Sequence, residues 1–189
     1  MSPLALVSLL ITSLTISRVA THGLITAPKP RQYSSTAQAV CGEAVYKVLT
    51  SDLSGPIENA VNKIDRAYDA EACPLYFCRG ASIEDNTGNT RTYAAGDSVS
   101  FHVDIIAHHT GLAVDLNSQI TIGSPLIDWP VYANDSVGPA NWPKNETDFN
   151  VMIPDLEGRC AETGVCAIQW WWYAYSNDQT YESCVDFTQ

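Results

Sequence analysis

The stretch Val99-Ser100-Phe101-His102-Val103-Asp104-Ile105 alternates apolar and polar side chains without a break. Apolar residues stand at 99, 101, 103 and 105, the period of a strand with one face on a core. The same texture extends on both sides of it. Asp148 to Ile153 (DFNVMI) repeats the alternation, Thr110 to Ile122 continues in short apolar runs, and Val165 to Tyr175 (VCAIQWWWYAY) is dense in aromatic residues. Turn residues punctuate these runs at Gly96, Gly111, Gly123, Pro125, Pro130, Gly138, Pro139, Pro143 and Gly164. Several short strands with such punctuation predict an all-β chain: an antiparallel, immunoglobulin-like β-sandwich with long loops. One short helix is expected in residues 55–68, where Ile57, Ala60, Val61 and Ile64 fall at helical spacing behind Ser54 as a cap. Residues 22–33 (HGLITAPKPRQY) contain Pro28 and Pro30 and read as an extended start. Residues 123–146 read as an irregular surface loop able to shape a binding face.

The chain has 189 residues, enough for one domain with a sizeable core. Residues 3–16 (PLALVSLLITSLTI) suit the apolar region of a secretory leader and are too short to span a bilayer. Cleavage after Thr21 leaves a secreted, extracellular mature domain of residues 22–189. Six cysteines, all in that part, read as three disulfides in an oxidising compartment. Spacing suggests Cys160 with Cys166 across a turn, Cys73 with Cys78 across a short loop, and Cys41 with Cys184. Structural zinc is disfavoured because no Cys-x-x-Cys pair exists. Sequons at Asn134 and Asn145 suit exposed loops of a glycoprotein. The formal charge of −11 argues against nucleic acid and acidic membranes as partners. Nothing in the sequence demands an obligate partner, so a monomer is expected.

Only four histidines are present: His22, His102, His108 and His109. His102 has the parity of a half-exposed strand residue. His108 and His109 stand where that strand ends, just before Gly111. Successive strand residues face opposite ways, so one of the doublet, not both, would join a given site. His22 would be the first residue of the mature chain, where it offers a free amine beside its ring. Near the other end, Tyr181 lies three residues before Cys184. Trp170, Trp171 and Trp172 must alternate faces, which puts at least one of them in the core. The sequence lacks a nucleophile elbow, a phosphate loop, a zinc-protease helix and a convincing acid/base pair for a glycosidase; Asp104 and Asp115 read as face or loop charges.

The ordered set of His22-Gly23, His109-Thr110-Gly111 and Gln179-Thr180-Tyr181-Glu182-Ser183-Cys184-Val185-Asp186 resembles the lytic polysaccharide monooxygenases, and does so across the mature chain. HGLITAPKPRQYSSTAQAVCGE, AHHTG, NWPKNETDF and QTYESCVDFT look like the oomycete group that cleaves pectic homogalacturonan. The resemblance implies one mononuclear copper ion in a histidine brace. His22 would supply its amine and a ring nitrogen, His109 a second ring nitrogen, Tyr181 the axial position and Gln179 a supporting hydrogen bond. His108 remains the alternative to His109.

The donor chemistry agrees with that implication. An α-amine ordinarily titrates at about 7.7–8.0, so it loses its proton to a metal at modest cost near neutrality. Three nitrogens without a thiolate suit copper. The implied reaction is oxidative cleavage of a polysaccharide glycosidic bond, using peroxide or dioxygen and an external electron donor. Lys29, Arg31, Lys144 and Arg159 are candidates for a basic patch that meets a polyanionic chain. For chitin or cellulose, exposed aromatics such as Tyr33, Trp129, Tyr132 and Trp142 would matter instead. A non-catalytic copper-binding or carbohydrate-binding sandwich is the reading from another class.

Overall fold

The computed structural model describes residues 22–117 and 125–189. The expected leader, residues 1–21, and the end of the run up to Ile122 lie outside the described residues.

In chain order the elements are β1 (His22–Ala27), α1 (Ser35–Cys41), α2 (Glu43–Ser51), α3 (Ile57–Val61), β2 (Arg91–Thr92), β3 (Ser98–Ala107), β4 (Gly111–Asn117), β5 (Ile127–Tyr132), β6 (Asp148–Met152), β7 (Cys166–Ala174) and β8 (Gln179–Thr188). A three-stranded sheet has the order β1-β3-β6, and a five-stranded sheet the order β2-β8-β7-β4-β5. All pairs are antiparallel except β2 with β8, which joins them by two residues at the end of β8. Two sheets around a shared core make the expected sandwich.

The alternation in β3 builds that core directly. Val99, Phe101 and Val103 are buried while Ser100, His102 and Asp104 are exposed. Opposite them, β6 places Val151 across from Val99 and Phe149 across from Phe101, whose rings stack 5.5 Å apart. The other sheet answers with Ile168, Trp170 and Trp172 of β7 and Tyr181, Val185 and Phe187 of β8. Trp171 takes the opposite face, where it stacks on Tyr173. Pro130 sits in β5, an edge strand, where its missing N–H is tolerated. Part of the segment expected as irregular loop is therefore strand.

Residues 28–90 hold the largest departure from expectation. Three short α-helices stand there in place of one. The helix expected over 55–68 spans only Ile57–Val61. Beyond it, Asp65 Oδ1 accepts the Ala67 N–H at 2.8 Å, a local turn that competes with helix, and Ile64 is exposed. Ser54 does not cap this helix; its hydroxyl donates to Asp52 Oδ1 at 3.0 Å. Helices α1 and α2 are too short to show a period and are divided by Gly42, whose φ of 77° a side chain would strain. Val45 and Leu49 of α2 join Cys41, Ile57, Ala60, Cys73 and Leu75 in a second, smaller core.

The cysteine pairing is corrected in two of three cases. Cys160–Cys166 forms as expected, but the other bridges are Cys41–Cys73 and Cys78–Cys184. The first closes the helical lobe on itself; the second ties that lobe to β8. Adjacent spacing could not reveal this, because the lobe folds back across the sheet. Among the described residues no helix is long and apolar enough to cross a membrane.

Candidate metal centre

Strand register gathers the expected site residues at one end of the sandwich. Antiparallel pairing of β1 with β3 sets His22 opposite Ala107, the residue before the His108-His109 doublet. The chain then crosses from the three-stranded sheet to the start of β4 at Gly111. The β7–β8 hairpin closes at the same end, with Ala174 opposite Gln179 and Trp172 opposite Tyr181. Its turn is tied to the doublet by the Ser176 N–H, which donates to the Thr110 carbonyl at 3.2 Å.

Strand β7 explains the two glycines of the pattern. A Cβ on Gly23 would stand 3.0 Å from Cη2 of Trp170 and 3.3 Å from Cζ3 of Trp172. A Cβ on Gly111 would meet Nε1 of Trp172 at 2.6 Å and drive into the Tyr173 carbonyl. The residue after His22 must therefore be small for β1 to pack on the indoles of β7, and the residue after His109-Thr110 for β4 to pair with β7. The Trp172 indole stacks on Tyr181, ring centroids 4.6 Å apart.

Tyr181 is wholly buried, and its hydroxyl donates to Gln179 Oε1 at 2.6 Å. Gln179 Oε1 also accepts from Asn177 Nδ2 at 2.5 Å, so its carbonyl is committed and its amide N–H groups are the remaining donors. Glu58, from α3, accepts the Thr180 N–H at 2.9 Å and fixes the start of β8 from outside.

The three histidines at this end have different surroundings. His22 Nε2 lies 2.5 Å from Asp52 Oδ2. His108 stacks on Trp142 at an interplanar angle of 20°. Burial pushes His108 down to about 4, with the charge of His109 adding to the shift, so its ring is neutral at ordinary pH. Nε2 of His108 and Nε2 of His109 are both buried without a hydrogen-bond partner. Buried polar atoms are rarely left so, and an imidazole nitrogen with a lone pair can serve as a metal ligand. If the alternation of β3 is carried past Ala107, His109 falls on the side of Ala107, whereas His108 is engaged by the indole.

The donor set fits copper. All six cysteines are in disulfides, so no thiolate competes. Among the described residues no three His, Cys, Asp or Glu side chains gather as a metal site. A centre built from two imidazoles and a backbone amine does not need such a group. His102, the fourth histidine, is elsewhere: it is exposed on β3, with Nδ1 2.6 Å from Asp148 Oδ1.

The expected basic patch does not assemble. Arg31 is buried and donates through Nε and Nη2 to the two carboxylate oxygens of Asp186, at 2.8 and 2.6 Å, and through Nη1 to the Ala81 carbonyl at 2.9 Å. Arg159 precedes Cys160, whose carbonyl takes the Gln189 N–H at the far end of β8, about 30 Å from Gln179 at strand rise. Lys29 lies beyond the far end of β1. Lys144 follows Trp142 by two residues, and its charge acts on Asp148 of β6. Trp129 and Tyr132 belong to the core, and the Tyr33 hydroxyl donates to the Arg79 carbonyl. Of the four candidate aromatics, only Trp142 borders the histidines. Asp52 went unnoticed in the sequence, since nothing about the histidine pattern points 30 residues downstream; its one signal is the turn-forming Asp52-Leu53-Ser54-Gly55.

No curated protein matches this chain. A family model described as "Lytic polysaccharide mono-oxygenase, cellulose-degrading" matches residues 22–187. With the sandwich, the disulfides and the histidine end in place, the chain belongs to the lytic polysaccharide monooxygenase family, copper-dependent oxidoreductases that hold a single copper ion in a histidine brace and cleave polysaccharides oxidatively.

Proposed function

We propose that this chain is secreted, that its leader is removed after Thr21, and that the exposed His22 amine, the His22 ring and His109 Nε2 hold the copper. The observation that carries this reading is the pair of buried, unpartnered Nε2 atoms of His108 and His109 at the sandwich end where β1 begins, with the His108 ring stacked on Trp142. Tyr181 would stand beside the bound metal, pinned by its stack on Trp172 and its bond to Gln179. The Gln179 amide, its oxygen already committed, keeps its N–H groups as donors. Burial of Tyr181 and Trp172 excludes water from the inner side, so that access is left to the outer face. Copper when bound supplies the one-electron chemistry that, with a reductant and peroxide or dioxygen, oxidises a carbon at the glycosidic bond.

The proposed substrate is homogalacturonan, on the strength of the sequence resemblance. A specific observation favours a neutral glucan or chitin as second reading. Asp52, Glu58, Asp135 and Asp178 surround this end, and the four expected cations do not gather there. Like charge disfavours a polyanion unless pH or a divalent cation neutralises it.

The test begins with the first residue of the secreted polypeptide. A chain starting at His22, copper binding lost in H22A and H109A, and oxidised oligogalacturonides formed only with copper, reductant and peroxide together would support the proposal. Any other first residue removes the amine ligand and overturns it. Copper loss in H108A with retention in H109A moves the second ligand to His108. Oxidised products from cellulose or chitin alone would replace the substrate.

A further inference from the structure

Asp52 follows α2, and its carboxylate is used on both oxygens. Oδ2 lies 2.5 Å from His22 Nε2, while Oδ1 accepts the Ser54 N–H at 3.2 Å and the Ser54 hydroxyl at 3.0 Å. The Ser54 carbonyl in turn accepts the Gly23 N–H at 3.0 Å. One short turn thus grips the first two residues of β1 by ring and by backbone. The turn is itself clamped from behind. The buried Arg79 guanidinium donates to the carbonyls of Asp52, Gly55 and Leu49 at 2.7, 3.0 and 3.1 Å. Its neighbour Cys78 is bridged to Cys184 on β8. The carboxylate is therefore held to the sheet that carries Tyr181, and is not a wandering surface charge.

We propose that Asp52 is a positioning residue for the copper centre: it fixes the His22 ring as the Nε2–H tautomer and so selects Nδ1 as the ligating nitrogen. A carboxylate only accepts, so in the neutral ring the shared proton sits on Nε2 and the lone pair on Nδ1. Nδ1 is the ring nitrogen on the side of the His22 backbone, the one that can chelate together with its own amine. A carboxylate behind a ligating imidazole also orients the ring and strengthens it as a donor. The inference rests on the proposed brace, but its first readout does not.

The experiment uses the mature chain and its D52N, D52A and S54A variants. D52N preserves the shape of the turn, with its amide oxygen able to accept from Ser54. In the metal-free protein, nitrogen NMR of the His22 ring should show the Nε2–H tautomer in the parent and in S54A. A mixture of tautomers is expected in D52N. Copper(II) affinity by chelator competition should fall roughly 10- to 100-fold in D52N and D52A. The copper(II) EPR spectrum should shift in both and stay unchanged in S54A. A D52N protein with the parent's tautomer, affinity and spectrum would overturn the proposal and leave Asp52 as a mere staple of β1. If the parent binds no copper while its tautomer still depends on Asp52, the proposed brace fails and the selection of the tautomer stands.

Discussion

The two faces of β8 are filled by different chemistry. Residues Thr180 to Phe187 are buried throughout, so both faces are covered. On the inner face, Tyr181, Val185 and Phe187 pack with Trp170 and Trp172 in an aromatic core. On the outer face, Glu182, Cys184 and Asp186 meet Arg79, Cys78 and Arg31 from the helical lobe. Burial pushes Glu182 up to about 8, against the partial compensation of the Arg79 N–H and guanidinium. Apolar packing is tolerant of exact partner and direction, and builds a sandwich. Paired charges, a disulfide and directed hydrogen bonds admit one docking of the lobe, and that docking delivers Asp52 to His22 and Glu58 to the start of β8.

Five variants would break or sharpen this contrast, and the largest effects come first. Trp172→Ala should cost about 3–5 kcal/mol by urea denaturation, because it empties the space on which Gly23, Gly111 and Tyr181 converge. A cost under about 1 kcal/mol would mean that the inner face is not held by this indole. On the outer face, Arg31→Ala strands a buried Asp186 and should cost a similar 3–5 kcal/mol, whereas Arg31→Met with Asp186→Leu should be near neutral. If the double variant is as damaged as the single one, the pair contributes more than the relief of its own burial.

Asp85 lies within the lobe and supplies what α1 lacks. Ser34 makes no side-chain cap, and the Asp85 carboxylate accepts the N–H groups of Ser34, Thr36 and Ala37 at 3.0, 3.2 and 3.0 Å. Burial opposes ionisation, but the bonds from Ala37, Thr36 and Ser34 hold its carboxyl below the usual range. A depressed acid stabilises the fold above its unfolded pKa, and that contribution disappears as pH falls through the folded value. Asp85→Ala should lose about 1 kcal/mol at neutral pH, and the gap from the parent should close in thermal melts below about pH 4.

Asp148→Asn should have the smallest effect, since its partner His102 is exposed on a strand face that neither core uses. Hydrogen bonding to Asp148 raises the His102 pKa. The variant should lower the His102 midpoint in an NMR titration and leave copper binding intact. A change in copper affinity would extend the site well beyond the sandwich end.

Some of this was legible along the chain. The alternation at 99–105 and the aromatic run at 165–175 specify half-buried strands, because a period of two needs no knowledge of the partner. The pattern of His22, the doublet and Tyr181 marks candidate ligands by residue type and order. Helices α1 and α2 were hidden because neither is long enough for a period to emerge. Arg31 looked like surface charge until Asp186, 155 residues away, came to face it. The sequence by itself determined the local periods, the small residues at 23 and 111 and the nitrogen donors available. The tertiary structure decided which disulfides close, which cations remain free and which carboxylate stands behind His22. Those outcomes depend on contacts between segments far apart in the chain, and local propensity carries no information about them.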